Sequence, residues 1–545
     1  MRRVIAAPVI ALLALAISPR LSGQVVTRLS VDSSGAQANS SSYRAMLSLD
    51  GEVVSFTSDA SNLVAGDTNL FIDVFVRLVD SGVTERVSVD SAGTQANDSS
   101  SVSSINADGS LVAFTSYATN LVAGDTNGSP DIFVRDRSAG LTTRISLDSS
   151  GAQANGGSAN PAISTYDGRY VAFDSGADNL VAGDTNNDRD IFLHDRSTGT
   201  TTRISVSSSG GEGNDDSIIP TISGEGRYVA YVSAASNLVP GDTNGVQDVF
   251  LYDTVTATTT RISVDSSGNQ GNNWSVSPDI SGNGEVVAFS SLASNLVAGD
   301  TNGTSDFFVH KWVTGETTRV NVSSGGAQAN LPSGSGSISS QALRVAFVSQ
   351  ATNLVPGDTN GDQDIFVHDL PSGETIRVST DADGIQGNDW SSYPTLDLTG
   401  ASVAFQSYAD NLVPGDTNAT NDTFLHRSPS VAFPLQPATG DSVAFTLHDA
   451  PDQVGHQAFF LLSCSGTDGF QLGSRTVPLT FDACTQFSIA VALVLMDIVD
   501  QNGNASSPPF IFPQLPPGIV LYIAGVTRGP AGFSMVTGPL IVRPR

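Results

Sequence analysis

At 545 residues the chain has room for a large repeat assembly and one further domain. Its 54 acidic and 25 basic residues give a net charge of −29, which argues against a nucleic-acid partner and against anionic membrane surfaces.

The chain starts MRRVIAAPVIALLALAISPRLSG, with Arg2 and Arg3 ahead of an apolar run from Val4 to Ile17. That pattern predicts a secretory signal peptide over residues 1–23, because the run is short for a membrane span. The expected protein is secreted or periplasmic and has no membrane insertion.

A periodic region follows. A GDTN loop recurs with its Asp at 67, 125, 184, 242, 300, 358 and 416, so successive copies lie 58 or 59 residues apart. The third copy shows the unit. NPAISTYDG (Asn160 to Gly168) ends in an Asp-Gly turn, and RYVAFDS (Arg169 to Ser175) is rich in β-branched and aromatic residues. After the acidic loop come DIFLHD (Asp190 to Asp195), a turn, and TTRISVS (Thr201 to Ser207). These predict four strands joined as a meander.

In the second strand Tyr170 and Ala172 fall on one face and Val171 and Phe173 on the other, so both faces need cover. Seven four-stranded sheets covered on both sides predict an all-β, seven-bladed β-propeller over residues 24–430. The chain enters on VVTRLS, which matches a fourth strand, and the seventh unit ends after DTFLHR, a third strand. Pairing Val26 to Val31 with that last sheet closes the ring and removes its open edges.

The strings PxxSxDGRYVAFxS, DIFVxD and TGxTTRIS resemble the repeat of TolB-like bacterial propellers over roughly Val25 to Arg427. The resemblance implies a six- or seven-bladed propeller used mostly for binding. The long GDTN insertion between the second and third strands departs from plainer members.

Each GDTN loop carries Asp, Asn two later and Asp four beyond: Asp67, Asn69, Asp73; Asp125, Asn127, Asp131; Asp184, Asn186, Asp190; Asp242, Asn244, Asp248; Asp300, Asn302, Asp306; Asp358, Asn360, Asp364; Asp416, Asn418, Asp422. Alternate oxygen-bearing residues in a tight turn suit calcium, which takes six to eight oxygens at roughly 2.3–2.6 Å. Asp188 and Asp362 add a carboxylate in the third and sixth loops, which are expected to bind best, whereas Phe71 and Val246 add none. The same residues also build Asx-turns without a metal.

A second string, GxQ[A/G]N, occupies the connectors between blades, with Glu212 replacing Gln in one copy. Strand alternation puts these connectors and the acidic loops on one face, where Gln or Asn carbonyls complete cation sites or hold adjacent blades together. Trp274 and Trp390 stand in two connectors and offer a sugar-stacking platform or, alternatively, pack beneath the chain. Arg28, Arg86, Arg144, Arg203, Arg261, Arg319 and Arg377 recur in the fourth strand, where they are expected to block edge-to-edge pairing.

Four histidines, at 194, 310, 368 and 426, share one repeat position and so lie round a ring without converging. GxSxG, HExxH and paired-Cys motifs are absent from the sequence. Residues 431–545 lose the period, show strand-like runs between Pro and Gly breaks, and predict a C-terminal β-sandwich with a Cys464–Cys484 disulfide. Together these readings predict an exported, non-enzymatic, calcium-stabilised propeller that binds a protein or glycan partner on its loop-rich face. The rival is a carbohydrate-active enzyme, a polysaccharide lyase or hydrolase, acting at the central opening.

Overall fold

Seven four-stranded antiparallel sheets make an all-β, seven-bladed propeller; six are simple meanders in chain order, and the seventh takes its outer strand from the start of the chain. The structure is a computed structural model describing residues 25–427 and the strands Ser442–Thr446, Phe459–Cys464, Phe470–Gln471, Leu521–Gly529 and Gly532–Val542. The chain falls into two compact units, Met1–Val431 and Ala432–Arg545. In the second unit the described strands form one three-stranded and one two-stranded antiparallel sheet. The expected signal segment at 1–23 lies outside the described residues, as does Cys484 of the expected disulfide.

The third blade shows how sequence sets the unit. Its strands are Ser158–Ile163, Tyr170–Ser175, Asp190–Asp195 and Thr200–Arg203, from the channel outward. The second and third are buried on both faces, as their apolar residues at both parities require. Phe173 stacks on Phe192 at 5.9 Å, and every blade repeats the pair, with Tyr231 replacing Phe in the fourth. The core lies between blades. Ile132, Val134 and Ile145 of the second blade pack with Ile163, Val171 and Phe173 of the third, each large side chain contributing about 1.5–3 kcal/mol by burial.

The fourth strand is shorter than the sequence suggests. It ends at Arg203 because the chain then leaves the sheet, and Val206 bridges Glu212 to close the connector on itself. The same bridge recurs in all seven connectors. It also trims the closing strand, which pairs as Val25–Arg28, with Val25 opposite Arg427 and Arg28 opposite Phe424.

The innermost strands line a central channel. Each carries a β-bulge whose residue has positive φ: Arg44, Val102, Asn160, Ile219, Ser277, Ser335 and Tyr393, at +35° to +54°. Strain at a non-glycine residue persists only where its surroundings hold it. Here the preceding blade does so, as when Gln406 accepts the Arg44 amide at 2.9 Å and Ser290 accepts that of Ser335 at 3.1 Å.

Candidate functional site

The acidic loops gather the residues that the sequence singles out, but around an arginine. In the first, Arg86 lies 3.1 Å from both Asp67 and Asp73. Across the seven loops the arginine of the fourth strand stands 3.1–3.7 Å from two carboxylates. This corrects the edge-blocking expectation for Arg28, Arg86, Arg144, Arg203, Arg261, Arg319 and Arg377. Their side chains turn inward and are about nine-tenths buried among the carboxylates.

Each second Asp is fully buried and held by short hydrogen bonds. Ser88 donates to Asp73, Ser205 to Asp190 and Ser379 to Asp364 at 2.5–2.6 Å, while Asn321 takes that role for Asp306. The Asn between the two Asp residues bends the loop: Asn69 accepts the Phe71 amide at 3.1 Å and donates to Asp73 and to the Ala96 carbonyl. Burial pushes the Asp131, Asp190, Asp248, Asp364 and Asp422 carboxyls up, against the downward pull of their serines and arginines.

The third loop differs. Asp184, Asp190 and Glu212 bring carboxylate oxygens within 4.8 Å of one another, a cluster that could hold a metal ion. Arg203 is shared among all three. Burial, then the Asp190 charge, pushes Asp184 up to about 6. Burial works against Glu212 too, yet the Thr185 amide and hydroxyl and the Arg203 charge draw it down to about 2. Asp188 stays outside the cluster, its amide closing the Asx-turn on Asn186 at 3.0 Å, and Asp362 does the same on Asn360 at 3.2 Å. Substitution of Gln by Glu in one connector was the sequence signal for Glu212; nothing in the strand pattern marked the arginines as its partners.

The connectors hold one blade to the next. Gln153 donates to Asp125 and Asp131 of the blade it leaves, at 2.9 and 3.1 Å. Two residues on, the Asn155 side chain accepts the Asp178 amide and its backbone amide donates to the Asn179 side-chain oxygen, clasping the blade it enters. Asn39 with Asn62, and Asn330 with Asn353, repeat the clasp.

The two tryptophans part company. Trp274 is partly buried in a small hollow with Val246, Gln247 and Val276. Trp390 is 40% exposed and stacks on Tyr408 with ring centroids 4.6 Å apart. The histidines are buried links: His194, His310 and His368 each meet a threonine of the fourth strand at 2.8–2.9 Å. That threonine donates in turn to the preceding connector, as Thr317 does to the Val264 carbonyl at 2.6 Å. His426 faces Val26 instead, and neither of its buried ring nitrogens has a partner among the described residues.

The channel encloses about 350 Å³. On the face away from the loops, a circle of seven backbone hydrogen bonds joins the blades, running Leu49 to Ala107 to Thr165, Tyr166 to Gly224 to Gly282 to Ser340, and Gln341 to Leu398 to Leu49. Tyr166 is the one-residue insertion behind the single 59-residue spacing. It lies across the fourth and fifth blades: a Cβ on Gly224 would come within 2.5 Å of its ring, and one on Gly282 within 2.8 Å of its hydroxyl.

Among the described residues no helix is long and apolar enough to cross a membrane. No family model and no curated protein matches the chain. Among solved structures it is similar to an oligogalacturonate lyase in complex with manganese, at 11% identity and a TM-score of 0.46 over 76% of this chain and 95% of that one. It is also similar to a putative TolB from Agrobacterium tumefaciens, at 15% identity and a TM-score of 0.32 over 51% and 79%. TolB from Acinetobacter baumannii gives 14% identity and a TM-score of 0.33 over 66% and 76%. TolB proteins are thus among the structural neighbours of this seven-bladed ring.

Proposed function

We propose that the chain is an exported, non-enzymatic propeller that binds a protein or glycan partner on its loop-rich face. The exposed Trp390, stacked on the half-buried Tyr408, carries this reading. Elsewhere on that face the paired Asp residues of each GDTN loop are occupied with an arginine, and the connector amides with neighbouring loops. The aromatic pair is therefore a contact surface that the fold itself does not use up.

Calcium belongs, in this reading, at the third loop. In six loops an arginine stands between two carboxylates and leaves one net negative charge; Asp184, Asp190 and Glu212 around Arg203 leave two. Binding is favoured over hydrolysis because glycoside hydrolysis uses a pair of carboxyl groups, and Asp279 is the one carboxyl among the residues lining the channel.

The test compares wild type with Trp390→Ala on a glycan array and by cross-linking to periplasmic and secreted proteins of the source bacterium. Retention by wild type and loss by the variant is expected, with an unchanged melting midpoint. Equal retention by both chains, or none by either, overturns the proposal.

A further inference from the structure

We infer that the central channel is a binding pocket for a small molecule carrying an alkylammonium group, which enters from the loop face and pairs with the Asp279 carboxylate. This goes beyond the rim reading and stands or falls separately from it.

The starting observation is a break in symmetry. Register places Met46, Ser104, Ala162, Thr221, Asp279, Ser337 and Thr395 at one position of the seven innermost strands, all lining the channel. Six are uncharged and one is a carboxylate. Asp279 accepts the Ile338 amide at 2.8 Å, the Ile280 amide at 3.0 Å and the Thr221 hydroxyl at 3.2 Å, with the Ser337 hydroxyl beside it. Every one of these donors is neutral.

The structural task alone does not call for a charge. In the second blade Ser104 accepts the equivalent amide of the next blade, Ile163, at 3.1 Å. A hydroxyl therefore suffices to satisfy the inner strands. Burial pushes the Asp279 carboxyl up and favours its neutral form, so a cation brought to this site is what would draw out the charged one. Arg44 is the one basic residue lining the channel, and it is held at the loop-face mouth with its guanidinium 4.8 Å from the Tyr393 ring centre. A cation for Asp279 would therefore be one brought by a ligand.

The cavity's shape agrees. Its volume of about 350 Å³ falls within the ~300–1,000 Å³ range of small-molecule pockets. The loop-face mouth carries the seven strained bulge residues, while the circle of backbone hydrogen bonds and Tyr166 constrict the other end. Pro161, Pro220, Pro278 and Pro394 give the walls apolar surface on which a hydrocarbon tail can rest.

Isothermal titration of the full chain with benzylamine, putrescine and benzyl alcohol tests this. Benzylamine or putrescine is expected to bind with one-to-one stoichiometry, and benzyl alcohol at least about tenfold more weakly than benzylamine. Asp279→Ser, which installs the residue found at 104 and 337, is expected to weaken amine binding by about tenfold or more with an unchanged melting midpoint. The comparison of amine and alcohol on wild type reads the charge requirement even where the variant fails to fold. Absence of amine binding at about 10 mM, equal binding of amine and alcohol, or undiminished binding by a folded Asp279→Ser overturns the inference.

Discussion

The rim and the channel are built from the same seven repeats, yet they obey opposite rules. At the rim every loop keeps Asp, Asn, Asp and a facing arginine, and the atoms in each copy meet in nearly the same way. In the channel the corresponding wall position runs through Met, Ser, Ala, Thr and a single Asp. Repetition marks a task that every blade has to perform, which here is holding its long loop to the outer strand and to the connector. Individual residues mark a task performed once by the whole ring. The difference teaches where to look: the abundant motif stabilises, and the place where symmetry fails is where recognition can arise.

Breaking one rim unit gives the largest expected effect. Arg377→Ala leaves Asp358 and Asp364 without their cation, and both are at least nine-tenths buried. Removing one partner of a buried ion pair costs about 3–5 kcal/mol. The same loss is expected for Arg86→Ala, whereas Asp279→Ser in the channel is expected to cost less than about 1 kcal/mol. Urea midpoints for the three variants decide it. A rim variant no less stable than the channel variant erases the contrast between the regions.

The closure seam sharpens the comparison: Arg28 keeps the rim's ion pairs there, but the histidine–threonine link between the third and fourth strands lapses. His426 occupies the position where His194, His310 and His368 meet a threonine, but the closing strand offers Val26. Burial holds His426 down to about 4, against its ordinary 6.5. A folded value below the unfolded one means the native state binds fewer protons, so the stability is intact above 6.5 and is lost as pH falls towards 4. The contribution is of the order of 1–3 kcal/mol. Replacing His426 with Leu is expected to flatten that part of the pH profile, read as melting midpoint between pH 7 and 4. A profile as steep as wild type rejects the seam as an acid-sensitive point. Val26→Thr should supply the absent hydroxyl and add about 1 kcal/mol at pH 7, since each of the other three histidines gains one such bond. No gain, or a loss, shows that the valine's packing matters more there.

How far the sequence exposes all this depends on what each feature repeats. Blade number, strand order and closure were legible because the GDTN string and the Phe pairs recur with a fixed period, and because an orphan fourth strand stands at the start. The length of the fourth strand was not, since Ile204 and Val206 continue the β-branched pattern while the chain has already turned into the connector. Within each loop the Asn and the second Asp do meet, whereas Asp188 stays apart from the third-loop cluster. The loops' arginines were assigned to the edge because sequence spacing hides contacts across 13 and 19 residues that only the fold brings together. Asp279 and Tyr166 were the hardest to see, since each occurs once and a period-based reading averages single residues away. The 59-residue spacing was nonetheless visible, and it is Tyr166.

The smallest effect is expected from calcium, because one loop of the seven differs in charge. Sites of the weaker extracellular kind have Kd near 10⁻⁴–10⁻³ M, so about 1 mM calcium should stabilise by roughly 0.5–1.5 kcal/mol. Melting is measured in calcium and in EDTA for wild type and for Glu212→Gln, which gives the third connector the residue that Gln153 and Gln270 provide elsewhere. Calcium should raise the wild-type midpoint and leave the variant's unchanged. Two other results would each remove the metal from the third loop. A wild-type midpoint indifferent to EDTA means that Arg203 alone neutralises Asp184, Asp190 and Glu212. An equal calcium shift in both chains means that the ion sits elsewhere, and the rim then keeps its symmetry in function as well as in form.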